Sequence, residues 1–477
     1  MTVKSANDLW KKGDPARALE IAWAGFEGGD IDAGVLAARI LREEPKLLRA
    51  ERAETFRRLL THPKINPGLV SAAGWRHLLT DTDLFAGTSD DIAPRLERSA
   101  LALALLHQDV VIDAQAERAL TAVRRALLLE DKTRAFPNLS AALVAQAALN
   151  GGAWPFEDDE RARFAAMPDF APAFLPRRPN AAPPADYADP VTRAVAAQYE
   201  AWPYPTWTRV MASRPTTLSA RVRQLDPKGP ALTEAPADIL IAGCGSGHQV
   251  AIVSQDMPDE RLTVIDISRA SLDEAERRCT ALGFTGVEYR HLDLHAVKSL
   301  GKQFDAVWCT GVLHHLSDPE AGWAALESVL KPGGIMHIMV YSRAARLRVR
   351  AIRRFLGPLV DQPVDDDLLR AVRRRVLTMP EKMIPAGRDF CSLAAVHDLL
   401  LHRHEDPFTI PRIRRALEVL GLQLIRFQLP DQRYNRRYKE LYPDDGLQRD
   451  FDSWFAMERD SPTLFAGMYD FFCRKPA

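Results

Sequence analysis

The stretch Asp238-Ile239-Leu240-Ile241-Ala242-Gly243-Cys244-Gly245-Ser246-Gly247-His248-Gln249 decides how this chain is read. Its apolar run, Ile239 to Ala242, is what a strand buried on both faces looks like, and three alternating glycines follow at once. Glycine permits positive φ and lets backbone N–H groups approach a bound molecule with no Cβ in the way. A strand therefore runs into a ligand-binding turn, and the chain on either side is organised around it.

Toward the C-terminus, strands alternate with helices. The pattern predicts a helix from Gly247 to Gln255, a strand from Arg261 to Ile265 ending in Asp266, a helix from Ser268, and a strand from Val287 to Arg290 leading to Asp293. A strand from Phe304 to Cys309, a helix from Pro319 to Leu330, the turn Lys331-Pro332-Gly333-Gly334 and a strand from Ile335 to Tyr341 follow. Such alternation implies an α/β, Rossmann-like doubly wound sheet with ligands at the carboxyl ends of its first strands. An arginine-rich helical insertion is expected at about 343–389; a role in binding an acidic acceptor or nucleic acid is set against the favoured reading, a solvated face balanced by Asp365, Asp366 and Asp367. Strands from Leu422 to Leu429 and Met468 to Arg474 would then pair antiparallel at the sheet edge.

Toward the N-terminus the character changes. Residues 1–166 are rich in Ala, Leu, Arg and Glu at helical spacing and read as an all-α domain. Leu9 to Leu19 has the look of a helical hairpin, with a Gly13-Asp14-Pro15 break, but no clean second copy follows at tetratricopeptide spacing. This domain is read as either a surface for a protein partner or a capping bundle. Residues 167–190, dense in proline, are expected to form an extended linker, and 191–477 the α/β domain with its helical insertion. Gln198 to Trp207, with Tyr204 between two prolines, is too stiff for a helix and is expected to strap the second domain.

Composition narrows the classes. With 63 basic and 63 acidic side chains the net charge is +0, so global charge offers no argument for a nucleic-acid or anionic-membrane partner. No run approaches a membrane span, the N-terminus lacks a signal-peptide core, and the five scattered cysteines suit a reducing cytoplasm.

The site residues follow from the pattern. Gly243, Cys244, Gly245 and Gly247 form the turn, and Asp266, followed by Ile267, is placed to accept both hydroxyls of a ribose. Asp293, followed by Leu294, is placed to accept from an exocyclic adenine amine, with N-capping of the next helix as its alternative. Thr310-Gly311-Val312-Leu313-His314-His315-Leu316 turns under the ligand, and its histidines are candidate general bases or loop-orienting groups. His397, His402, His404, Glu405 and Asp406 do not share a helix face as metal ligands would, so no metal is expected. His402 and Glu405 are read as lining an acceptor pocket with Tyr341 at its mouth.

Matched together and in order, these motifs resemble the class I S-adenosylmethionine-dependent methyltransferases across Asp238 to Tyr341. The resemblance implies S-adenosyl-L-methionine as cofactor and methyl transfer to an N or O nucleophile held in line, catalysed chiefly by proximity. Tyr199 to Trp207, Tyr341-Ser342 with Arg346, and Asp389-Phe390-Cys391 through Phe408-Thr409 resemble a bacterial group with a tetratricopeptide-like N-terminal region, which carries Arg where this chain has His397. Tyr204 joins the implied cofactor-binding set. A scaffold that binds the cofactor without turnover and a nucleotide-cofactor dehydrogenase are the competing readings.

Overall fold

A computed structural model describes residues 2–175, 187–211, 213–232, 236–385 and 388–477. Pro176, Pro179, Pro183 and Pro184 of the expected linker lie outside the described residues. The chain divides into two compact units. The first combines Met1–Arg177, Thr206–Ala212 and Asp361–Leu399; the second combines Arg178–Pro205, Ser213–Val360 and Leu400–Ala477.

Within the first unit every described element is helical. The hairpin read at Gly13-Asp14-Pro15 forms: the Asp14 carboxylate accepts from the Arg17 N–H at 3.1 Å, and Pro15 opens the helix Pro15–Glu27. Trp23, Phe56, Leu105 and Trp75 fill the main core. A second cluster packs Phe164 on Phe174 at 4.3 Å, with the Arg124 guanidinium over both rings and paired with Glu160 at 2.9 Å. Residues 167–175, expected to be extended linker, belong to this cluster, because Phe170 and Phe174 gain more from burial than an extended path would give them.

The arginine-rich region is divided between the units. Its second helix, Asp366–Val376, lies in the first unit, where Arg373 grips Glu117 through two N–H bonds of 2.5 Å and donates to the Phe390 carbonyl. Arg370 donates to the Gly152 carbonyl at 2.8 Å and stands over Phe156. Both arginines are buried. The solvated-face reading is therefore corrected at Arg370 and Arg373: buried partners outside the helix, and not the aspartates alone, neutralise them.

The second unit is built on a seven-stranded sheet of order β3-β2-β1-β4-β5-β7-β6. Its strands are β1 Asp238–Ala242, β2 Arg261–Asp266, β3 Glu288–His291, β4 Phe304–Thr310, β5 Leu330–Tyr341, β6 Gln423–Gln428 and β7 Met468–Arg474. The first five run parallel, and β7 lies antiparallel between β5 and β6. The edge pair expected from the sequence is thus present. After β1 the chain builds outward through β2 and β3, then returns to add β4 on the other side of β1. That reversal opens a crevice at the carboxyl ends of β1 and β4.

Two local expectations are corrected. Lys331 to Gly334 is not a turn before the strand but an irregularity inside β5, where the register against β4 jumps from Phe304↔Leu330 to Ala306↔Ile335. Gln198 to Ala201 are helical, as the last turn of Pro190–Ala201; proline stiffens the chain only from Pro203 onward. Among the described residues no helix is long and apolar enough to cross a membrane.

Candidate functional site

The glycine turn is held by backbone bonds. The N–H groups of Gly243 and Cys244 donate to the Ile265 carbonyl at the end of β2, and the Gly247 N–H donates to the Cys244 carbonyl. Gly243, Gly245 and Gly247 all have positive φ, as the sequence required. A Cβ on Gly245 would stand 2.2 Å from the Tyr204 carbonyl oxygen, and one on Gly243 would stand 2.3 Å from Val312. The space spared by these two glycines is therefore used by the chain's own Tyr204 strap and by the loop after β4. Ser246 fastens the strap, its N–H donating to the Tyr204 carbonyl at 2.9 Å and its hydroxyl to the Pro205 carbonyl.

Asp266 is buried and joins the turn to the next helix. One carboxylate oxygen accepts from the Gly245 N–H at 2.8 Å, the other from the Ser268 N–H at 2.9 Å. Burial pushes its carboxyl above the ordinary value, opposed by these two bonds. Each oxygen keeps a second lone pair for a ligand hydroxyl. Glu200, unremarked in the sequence, ends the helix below the strap and accepts from the N–H groups of Arg269 and Ala270 at the start of Arg269–Ala281. A carboxylate there complements the helix dipole.

The other positions divide. The Ile267 carbonyl is bonded to His291 Nε2 at 2.8 Å. Asp293 takes up its alternative: it caps the short helix Leu294–Leu300 and pairs with His295 Nδ1 at 3.0 Å, which raises the imidazole above its usual value. Leu294 is buried in the core under the sheet. Cys244 is buried, and burial with the neighbouring Asp266 carboxylate raises its thiol, so it stays protonated. Thr310 ends β4, and Gly311, at φ +80°, donates to the Met339 carbonyl.

A second cluster stands at the carboxyl ends of β4 and β5. His314 and His315 follow β4, Tyr341 ends β5, and residues 402–408 lie against both. The Asp406 N–H donates to the His314 carbonyl, and the Phe408 N–H to the Tyr341 carbonyl. The Tyr341 ring rests on His314 at 3.9 Å, with the Arg346 guanidinium 4.2 Å from its own centroid. Arg346 pairs with Glu405, Nη2 to Oε2 at 2.6 Å. His315 stacks on His402 at 3.6 Å, and His402 Nε2 bonds the Tyr199 hydroxyl at 3.1 Å. His314, His315, Tyr341, His402 and Glu405 are thus brought together. Tyr199 joins them from 203 positions away from His402, a pairing no local pattern announces.

Parts of the chain match known proteins. A methyltransferase domain family matches residues 239–334. An uncharacterized protein of Synechococcus sp. is 30% identical over 270 residues, covering 51% of this chain and 62% of that protein. The chain therefore spans less than two thirds of that relative's length. A ubiquinone biosynthesis O-methyltransferase of Pseudomonas putida is 30% identical over 167 residues, covering 34% of this chain and 68% of that enzyme. Among solved structures, PKMT2 from Rickettsia typhi in complex with AdoHcy has 15% identity and a TM-score of 0.41, over 54% of this chain and 53% of that one.

Proposed function

We propose that this chain, which belongs to the class I S-adenosylmethionine-dependent methyltransferases, transfers the methyl group of S-adenosyl-L-methionine to an N or O nucleophile of a protein, peptide or small-molecule acceptor. The observation that carries the proposal is the joint between Asp266 and the glycine turn at the point where the sheet reverses direction. Gly243, Gly245, Gly247 and Asp266 would hold the donor, with Cys244, Ile267, Leu294, Thr310, Gly311 and the Tyr204 strap around it. Asp293 would reach an adenine amine through Oδ2, since the cap and the His295 pairing both fall on Oδ1. The donor supplies an electrophilic methyl carbon. The chain's part is to orient the acceptor and exclude water.

The cluster of His314, His315, Tyr341, His402 and Glu405 would form the acceptor side. The Pseudomonas putida relative, an O-methyltransferase by name, supports oxygen among the possible nucleophiles. The tetratricopeptide-like character of the helical unit, its docking of a protein partner and a cytoplasmic setting belong to the same proposal. Calorimetry with S-adenosyl-L-methionine tests the core of it. Measurable binding that weakens at least tenfold, about 1.4 kcal/mol, in Asp266→Ala is expected. No binding, or binding unchanged by that substitution, would sink the assignment.

A further inference from the structure

What the acceptor side is built to hold can be read from the tautomers of its two adjacent histidines, granted the methyl donor at the glycine turn. His314 and His315 have ring centroids 4.2 Å apart. The Tyr341 N–H donates to His314 Nδ1 at 3.2 Å, so the His314 proton sits on Nε2. That Nε2–H is buried without an acceptor, a state that calls for a partner. His315 has the opposite tautomer. Its Nδ1–H donates to the His404 carbonyl at 2.9 Å, which leaves Nε2 as a bare lone pair. The His402 ring, stacked 18° from parallel, holds the plane of His315, and the His404 N–H in turn fixes His402 through its Nδ1 at 3.1 Å.

An unpaired donor beside a lone pair complements a hydroxyl. The hydroxyl oxygen accepts through one lone pair, attacks through the other and gives up its proton. A nitrogen nucleophile has a single lone pair, which the attack consumes, so the His314 donor would stay unsatisfied. Glu405, on the segment that packs against these histidines, is committed to Arg346.

We propose that the acceptor is a hydroxyl compound held between the Nε2–H of His314 and the Nε2 lone pair of His315, and that His315 is the catalytic base. The hydroxyl oxygen forms the C–O bond as the C–S bond breaks, and that electron pair stays on sulfur, leaving a neutral thioether. The hydroxyl proton passes to His315 Nε2, and the imidazolium then releases it to water. Charge balances, because the positive charge lost from sulfur reappears on the imidazole. Burial keeps both rings neutral beforehand, His314 well below its ordinary value and His315 down to about 4. Such a base takes a proton that becomes strongly acidic while the C–O bond forms. It could not take one from an ammonium group near 10.

The test uses the full chain with [methyl-¹³C]-S-adenosyl-L-methionine and an extract of cells lacking the protein. O-methyl and N-methyl carbons resonate in separate regions of the ¹³C spectrum. Label is expected in the O-methyl region, with the rate falling about 10²–10⁴-fold in His315→Ala and in His315→Asn. Asn keeps a donor for the His404 carbonyl, so it separates loss of the base from loss of the fold. Independently of turnover, ¹⁵N spectra of histidine-labelled protein should show His314 protonated at Nε2 and His315 at Nδ1. Label in N-methyl products, undiminished turnover in His315→Asn, or the reverse tautomers would overturn the proposal. Failure to bind S-adenosyl-L-methionine in calorimetry would instead remove the reading on which it rests.

Discussion

The Asp266 carboxylate accepts the Gly245 N–H at 2.8 Å, so the end of β2 holds the turn that follows β1. The neighbouring Ser268 N–H occupies the other carboxylate oxygen. Asp266→Asn presents an amide where one of these donors needs an acceptor, leaving a buried N–H unpaired. A loss of roughly 1–3 kcal/mol is expected in urea unfolding, together with weaker S-adenosyl-L-methionine binding. A variant as stable as the parent would show that the joint is dispensable.

Two glycines with positive φ separate backbone strain from close packing. Gly283, at φ +85°, has nothing within 4 Å of a built Cβ, so Gly283→Ala should cost only the left-handed penalty of about 1–2 kcal/mol and leave cofactor affinity alone. Gly245→Ala adds a collision with the Tyr204 carbonyl, which is backbone and cannot rotate away. It should displace the strap and cut affinity at least tenfold, about 1.4 kcal/mol. Paired melting curves and titrations compare them.

In the first unit, Arg373 and Glu117 are bonded in pairs and almost fully buried. Glu117→Leu alone strands the guanidinium in the interior, with a loss of about 3–5 kcal/mol. The double variant Glu117→Leu with Arg373→Met removes both charges and should regain most of that loss. Chemical denaturation of the four proteins forms the cycle. A double variant no better than the single one would show that the pair does more than neutralise itself.

His315 sets a pH dependence. Its folded value, about 4, lies below the ordinary 6.5 because the ring is buried. The native state therefore resists protonation, and the neutral form's contribution, complete above pH 6.5, is lost as pH falls toward 4. The loss approaches roughly 3 kcal/mol. Within the second unit, the groups near the ring include His314, His402, His404, Glu405, Arg346 and Tyr341. His314, also depressed, adds to the slope, while Glu405 opposes it. Melting temperature should fall from pH 6.5 to 4, and less steeply in His315→Asn; parallel curves would contradict the assignment.

The sequence by itself determined the doubly wound sheet, the three turn glycines, the acidic end of β2 and the antiparallel final pair. Each is written in a window of a few residues: an apolar run buried on both faces, a positive φ only glycine adopts readily, a side chain at a strand terminus. Only the tertiary structure decided the rest. It placed Asp361–Leu399 with the N-terminal helices, through an Arg373–Glu117 pair spanning 256 positions. It turned Asp293 into a cap and gave the glycines' spare room to the Tyr204 strap. It also set His314 and His315 in opposite tautomers, since these depend on the Tyr341 N–H and on a His404 carbonyl 89 residues away. Local patterns encode backbone conformation and burial, whereas the proton position on an imidazole is set by whichever distant groups the closed chain brings against it.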